Sequence, residues 1–250
     1  MAIRGVLFDL GDTLVTQEAL LGSVSNRLGA LAVLEVVRPL MDAPPTPGQL
    51  AEGLGEGLHE ALAEAYRTSA AMPDARDVFR RVFDAFEWAP SLEQIDRLLP
   101  LYFKPHYDAM RALPGAVETL ATLRRDGLRV AILANLIYGE PLLVRRLQTL
   151  GLLEHADALI LSSESGWLKP HPAPFRDAQA RFGLQAAELV MVGDDWDVDV
   201  RTPQRLGLRA IWRPRPGTTL PDHVRPDGIV HELRDVPAVV LAIRAAASPA

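Results

Sequence analysis

The sequence predicts an α/β protein: a parallel sheet covered by helices on both faces and interrupted by an inserted helical block. Three observations predict it. From residue 113 onward, short apolar runs alternate with helical patterns, as strands buried on both faces require. One apolar run, Ile3-Arg4-Gly5-Val6-Leu7-Phe8, stands alone far upstream and ends in the turn Asp9-Leu10-Gly11-Asp12-Thr13. Between them lie roughly ninety residues with helical periodicity and no strand signal. The first strand and the later ones therefore read as one Rossmann-like core, expected over 1–16 and 109–250, with a helical cap over 17–108.

Taken in order, residues 3–9 form the first expected strand. Residues 18–40 follow a helical period through Leu20, Leu21, Val24, Leu28, Leu31 and Leu34. The segment Ala43-Pro44-Pro45-Thr46-Pro47-Gly48 breaks it. Leu50, Leu54, Leu58, Leu62 and Ala65 predict a second amphipathic helix, although Gly53, Gly55 and Gly57 weaken its propensity. Pro73-Asp74 and Pro90-Ser91 start two more, over 74–87 and 91–103.

After Leu113-Pro114-Gly115 the alternation begins. Its elements are helix 115–126, strand 128–134, helix 139–150, strand 157–161, helix 172–183, strand 188–192, helix 197–206 and strand 209–212. Gly127 and Gly151 stop their helices. A short strand near Gly228-Ile229-Val230 and a helix from 236 complete the pattern, and the final Ala-Ala-Ala-Ser-Pro-Ala is expected to fray.

Composition narrows the function classes. A chain of 250 residues with 48% hydrophobic content supports one sizeable core and a smaller module. A net charge of −6 argues against a nucleic-acid binder that neutralises phosphates. With no cysteine there is no disulfide framework, thiolate metal site or cysteine nucleophile. The apolar run before Asp9 is too short for a signal peptide, and no stretch approaches the ~18 apolar residues of a membrane helix. A cytoplasmic protein with neither nucleic acid nor membrane as partner is expected, and oligomeric state is left open. Of the 26 basic residues only Lys104 and Lys169 are lysine. A lysine kept among arginines suits a place that needs a compact point charge rather than a planar fork.

In an open parallel sheet, ligands bind beyond the carboxyl ends of the strands. Asp9, Ala134-Asn135, Ser162-Ser163 and Gly193-Asp194 all fall at such ends, so the topology gathers them at one rim. A helical block leaving after Asp9 is expected to hang over that rim as a lid. Singly, each signal has a bland reading. The first loop is ordinary turn chemistry, with Asp12 or Thr13 bonding local backbone. Lys169 beside Pro170 reads as a solvated residue at a helix start, and Lys-Pro-His recurs at 104–106. Acids at 195 and 197 suit a helix N-terminus, an account that fits Asp194 less well. Asp195 and Asp199 share one face if a helix begins there. Crowded carboxylates repel, and a hard divalent cation such as magnesium relieves them. Jointly, Asp9, Lys169 and Asp194 read as a magnesium-assisted phosphoryl-transfer site.

Four pieces carry a closer likeness. They are Phe-Asp-Leu-Gly-Asp-Thr-Leu (8–14), Ala-Ile-Leu-Ala-Asn (131–135), Trp-Leu-Lys-Pro-His-Pro (167–172) and Met-Val-Gly-Asp-Asp-Trp-Asp-Val-Asp-Val (191–200). In these the chain resembles the haloacid dehalogenase-like hydrolases, in the branch with a helical cap, over essentially its whole length. The resemblance implies that Asp9 attacks phosphorus to give an aspartyl-phosphate. It implies Mg²⁺ held by Asp9, the carbonyl of Gly11 and Asp194, with Asp199 supporting the metal waters. Lys169 would offset charge on Asp9 and the phosphoryl group, Asn135 would contact phosphate, and Thr13 would order the turn. The substrate implied is a small phosphorylated metabolite.

The chain departs from the family pattern at two positions. Gly11 stands where the family's phosphatases carry an acid/base aspartate, and Asp12 follows where they carry glycine. Ala134 replaces a serine or threonine that bonds phosphate. A positioned acid/base is worth about 10²–10⁴-fold in rate. Three readings follow: a Mg²⁺-dependent phosphomonoester hydrolase, a non-catalytic or regulatory protein that keeps Mg²⁺ and phosphate-ester binding, and a metal-free 2-haloacid dehalogenase. Asp194 and Gly11 oppose the third, because the family's dehalogenases lack that acid and carry an aromatic residue at the glycine. His171 reads as a helix-start residue, Trp196 as loop packing and Trp167 as a cleft-lining candidate. Arg76, Arg80 and Arg81, interspersed with Asp74, Asp77 and Asp84, read as a solvated face.

Overall fold

The computed structural model describes residues 2–17 and 21–246. Leu20 and positions 247–250 of the expected frayed end lie outside the described residues.

Six strands form one sheet: β1 Gly5–Asp9, β2 Arg129–Ala134, β3 Ala158–Leu161, β4 Leu189–Gly193, β5 Arg209–Trp212 and β6 Gly228–Ile229. The order is β3-β2-β1-β4-β5-β6 and every pairing is parallel. Parallel neighbours need crossovers, which α5 Ala116–Arg125, α6 Glu140–Thr149, the one-turn α7 Ser162–Ser165 with α8 Pro172–Phe182, and the short α9 Thr202–Arg205 supply; α10 Val236–Ala246 ends the pattern. β1 is central, and its residues Val6, Leu7 and Phe8 are fully buried. The strand order reverses on either side of β1, so its carboxyl end opens at a topological switch point. There Asp9 pairs in register with Leu133, and Phe8 with Val192.

The chain divides into two compact units. One comprises Met1–Thr16, Arg111–Asn135 and Leu147–Ala250; the other comprises Gln17–Met110 and Leu136–Arg146. The sheet builds the first unit with α5, α8, α9 and α10, while most of α6 belongs to the second. Leu7, Leu133, Ile160, Phe175, Phe182 and Met191 are among the apolar side chains packed together there.

The second unit contains α1 Val24–Val37, α2 Pro47–Arg67, α3 Ala75–Asp84 and α4 Leu92–Ala109. α1 begins at Val24, because Ser23 caps it by accepting from the Asn26 N–H at 3.0 Å; positions 18–20 of the expected helix lie outside the described residues. Of its expected apolar stripe Leu34 is buried, but most of the rest faces outward. Val24, Leu28 and Leu31 are exposed, while Asn26, Gly29, Ala30, Val33 and Val37 are buried. Gly29 is the cause. A Cβ there would lie 2.3 Å from the Tyr102 carbonyl oxygen, so only glycine lets α1 and α4 pack this closely. α4 outlasts its expected end at 103 and runs through Pro100 and Pro105. Burial of Leu98, Leu99, Tyr102, Phe103 and Tyr107 outweighs the roughly 3 kcal/mol that an interior proline costs.

Residues 136–146, expected in the core, group with the helical unit. Phe103 stacks on Tyr138 at 5.4 Å between ring centroids, and the Tyr107 hydroxyl donates to the Tyr138 carbonyl. No helix among the described residues is long and apolar enough to cross a membrane.

Candidate active site

Asp9 is the last residue of β1, and the loop after it folds back at once. The Leu14 and Val15 N–H groups donate to the Leu10 carbonyl at 2.9 and 3.0 Å, and the Asp12 N–H donates to the Val15 carbonyl at 2.7 Å. The turn requires a left-handed residue, and Asp12 takes that conformation at φ +53°. Aspartate is among the few non-glycine residues that adopt it readily. Arg213 pins the position by donating from Nη1 to the Asp12 carbonyl at 2.9 Å. The Asp12 carboxylate lies 3.5 Å from Arg215 Nη1.

Lys169 is buried, with 2% of its side chain exposed. Its Nζ donates to Asp9 Oδ1 at 2.7 Å and to Asp199 Oδ1 at 2.9 Å. Burial alone would lower its pKa. The charges and hydrogen bonds of Asp199 and Asp9 outweigh that, and the ammonium ends above the ordinary lysine range. Lys169 is held from behind by Asn135, whose Nδ2 donates to the Lys169 carbonyl at 2.9 Å and whose Oδ1 accepts from the Lys169 N–H at 2.8 Å. The side-chain amide of Asn135 thus clasps the lysine backbone with both its atoms, whereas the resemblance implies a phosphate contact through that amide or the Asn135 backbone N–H.

β4 delivers the acids. Gly193 ends the strand, and a Cβ there would sit 2.3 Å from Asp199 Cγ. The absence of a side chain lets the Asp199 carboxylate lie against the strand end. Asp195 caps the following π-helical turn, Trp196–Arg201, by accepting from the N–H groups of Asp197 at 2.9 Å and Val198 at 3.0 Å. Asp195 and Asp199, expected to share one face if a helix begins there, have different partners, since Asp195 lies just before the helical turn as its cap. Asp195 serves its own backbone, and Asp199 is buried against Lys169.

Asp194 is the third acid. Thr13 Oγ1 donates to its Oδ1 at 3.2 Å, Arg215 Nε to its Oδ2 at 3.0 Å, and Trp212 Nε1 to its backbone carbonyl at 2.8 Å. Burial, then the charge of Asp9, pushes the Asp194 carboxyl up to about 6, against the opposing pull of Arg215. Burial pushes Asp199 up further, and the charge of Asp9 adds to it.

Carboxylate oxygens of Asp9, Asp194 and Asp199 all lie within 4.8 Å of one another. Lys169 is the buried cation facing them. This set is all hard oxygen donors, with more negative charge than the lysine balances, and it fits a hard divalent cation such as magnesium. Burial is the main cause that raises Asp194 and Asp199, and the charge of Asp9 adds to it in both, against the pull of Arg215 on the one and Lys169 on the other. Asp9 and Asp194 are the side chains best suited to hold such an ion, with Asp199 behind them.

The remaining expected residues fall outside this cluster or beside it. Ala134 is buried at the end of β2. Trp167 stacks on His171 at 4.0 Å, and His171 caps α8 through Nδ1. Lys104 pairs with Asp108 on an exposed face, and Arg76 and Arg80 pair with Asp96 and Asp77. Trp196 packs edge-on against His223. Trp212, Arg213 and Arg215 were missed by sequence reasoning. The same rule that pointed to the other strand ends would have found them, since they lie at the carboxyl end of β5.

A family profile described as haloacid dehalogenase-like hydrolase matches residues 3–207. A phosphoserine phosphatase of Thermus thermophilus is 32% identical over 92% of this chain and 96% of its own length. A ribulose-1,5-bisphosphate 5-phosphatase of Halopiger xanaduensis is 29% identical over 82% of each. Among solved structures, a 2-haloacid dehalogenase from Pseudomonas syringae superposes with a TM-score of 0.71 at 25% identity, over 96% of this chain and 99% of that one.

Proposed function

The chain belongs to the haloacid dehalogenase-like hydrolase family, and from that premise we propose that it is a magnesium-dependent phosphatase acting on a small phosphorylated metabolite. The observation that carries this reading is the bridge made by Lys169, which holds Asp9 at 2.7 Å and Asp199 at 2.9 Å beside Asp194. The full-length relatives named as phosphatases support it. Three carboxylates gathered around Lys169 and the half-exposed Arg215 still carry excess negative charge, which a divalent cation would offset before an anionic substrate is accepted, and this favours the reading over metal-free displacement at carbon.

An oxygen of Asp9 forms a bond to phosphorus as the ester P–O bond breaks. The leaving oxygen departs with the electron pair and takes a proton from solvent. Water then adds to phosphorus, the P–O bond to Asp9 breaks, and phosphate leaves while the water's proton passes to solvent. Lys169 holds Asp9 in place and offsets charge on the transferring group. Asn135 fixes Lys169, and Asp199 anchors its ammonium from the other side. Magnesium, held by Asp9, Asp194 and the Gly11 carbonyl with Asp199 behind, would supply positive charge against the phosphoryl oxygens.

One observation favours the non-catalytic reading. Gly11 offers no acid, and the Asp12 carboxylate faces Arg215. Phosphate release from an aryl phosphate separates the alternatives, measured with Mg²⁺, with EDTA and for Asp9→Asn. Turnover that needs metal and is lost in Asp9→Asn is expected. Ester binding without release supports the non-catalytic reading, and metal-free halide release from a 2-haloacid supports the dehalogenase.

A further inference from the structure

We propose that Arg215 is a resident counter-charge that a divalent cation must displace from Asp194, and that Asp12 is the carboxylate that then receives it. The inference rests on the reading of Asp194 as a metal ligand. Both oxygens of Asp194 are engaged: Oδ1 accepts from Thr13 Oγ1 at 3.2 Å, and Oδ2 meets Arg215 Nε at 3.0 Å. A neutral hydroxyl leaves lone pairs for an ion, whereas a guanidinium on the same carboxylate opposes one by like charge.

The two cations of the site differ in freedom. Lys169 is buried and fixed between two carboxylates, so it stays. Arg215 is 50% exposed and reaches the site on a long side chain from the loop after β5. A planar fork can engage two carboxylates at once, and Arg215 does so, with Nη1 3.5 Å from Asp12 Oδ2. Asp12 is held in place by the Arg213 bond to its carbonyl. A short swing therefore moves the guanidinium from Asp194 to Asp12 without exposing an unpaired charge. On this account Asp12 serves metal entry and does not replace the acid/base missing at Gly11.

The test uses the metal-stripped full chain, titrated calorimetrically with Mg²⁺ alone, with thermal unfolding recorded before and after. Arg215→Gln is expected to bind Mg²⁺ about fivefold tighter, because a partly exposed ion pair no longer competes. Its metal-free melting temperature should fall below wild type, and the difference should close at saturating Mg²⁺. Arg215→Lys should lie between. Asp12→Asn should bind Mg²⁺ more weakly, and that loss should vanish in the Arg215→Gln background, as coupling through one arginine requires. Unchanged or weaker affinity in Arg215→Gln overturns the proposal, as does an Asp12→Asn effect that persists without Arg215. If wild type takes up no Mg²⁺, the metal-site reading fails and takes this inference with it. If wild type binds, Asp194→Asn does not, and Arg215→Gln matches wild type, only this inference fails.

Discussion

Lys169 Nζ lies 2.7 Å from Asp9 Oδ1, although 160 residues separate them in the chain. The contact is buried and continues to Asp199. Replacing the lysine with methionine keeps much of the volume and removes the charge. Two carboxylates then face each other without their buried cation, a loss of about 3 kcal/mol by analogy with broken buried pairs. Lys169→Met is expected to lower stability by that order in urea unfolding and to cut phosphate release at least ~10²-fold. Activity within tenfold of wild type would remove Lys169 from the mechanism.

Gly193 admits Asp199. Adding a methyl group at 193 places it 2.3 Å from the Asp199 carboxyl carbon, so the acid must move. Gly193→Ala is expected to cost about 1–3 kcal/mol and to weaken Mg²⁺ binding. Gly48→Ala, with nothing within 4 Å, is the control and should change neither. The measurements are thermal unfolding and Mg²⁺ titration; equal behaviour of the two variants would contradict the packing argument.

With no acid at Gly11 and Asp12 engaged by Arg215, the proposed reaction is expected to depend on the leaving group. Aryl phosphates should be hydrolysed at least ~10²-fold faster than alkyl phosphates of similar size, the lower range for a missing general acid. Gly11→Asp should narrow that ratio. Comparable rates for both ester classes in the wild-type protein would show that another group donates the proton.

Asp194 is raised to about 6, above the ~3.9 of an unfolded chain. The metal-free fold therefore holds this proton more tightly than the unfolded chain does. Its contribution is favourable below about pH 4 and is lost as pH rises through about 6. Asp199 is pushed in the same direction. Magnesium needs the carboxylates ionised, so its stabilising effect has the opposite sign with pH. The rise in melting temperature on adding Mg²⁺ should be large at pH 8 and small at pH 5. Equal rises at both would show that these acids do not hold the ion.

Much of this protein was legible in one sequence. Strands buried on both faces must be apolar runs, and Val6 to Phe8, Val130 to Leu133 and Leu189 to Val192 declared themselves that way. Parallel strands place their carboxyl ends on one edge, so Asp9, Asn135 and Asp194 could be assigned to one rim before any coordinates, whereas Lys169 lies in a connection between strands and no strand end marks it. Position at strand ends is a topological property, and topology follows from the pattern of elements.

Only the tertiary structure decided where side chains turn. Periodicity marked Val24, Leu28, Leu31 and Leu34 on α1 but could not say that Gly29, by meeting the Tyr102 carbonyl, turns inward a face that keeps only Leu34 of these four. The composition of the loops could not say that Asn135 clasps Lys169, that Asp195 caps its own turn, or that Arg215 covers Asp194. Each of these depends on a partner distant in sequence and on the dihedral angles of a short connection. A hydrophobic pattern records only whether a position avoids water, and it carries no information on which polar neighbour a side chain will meet.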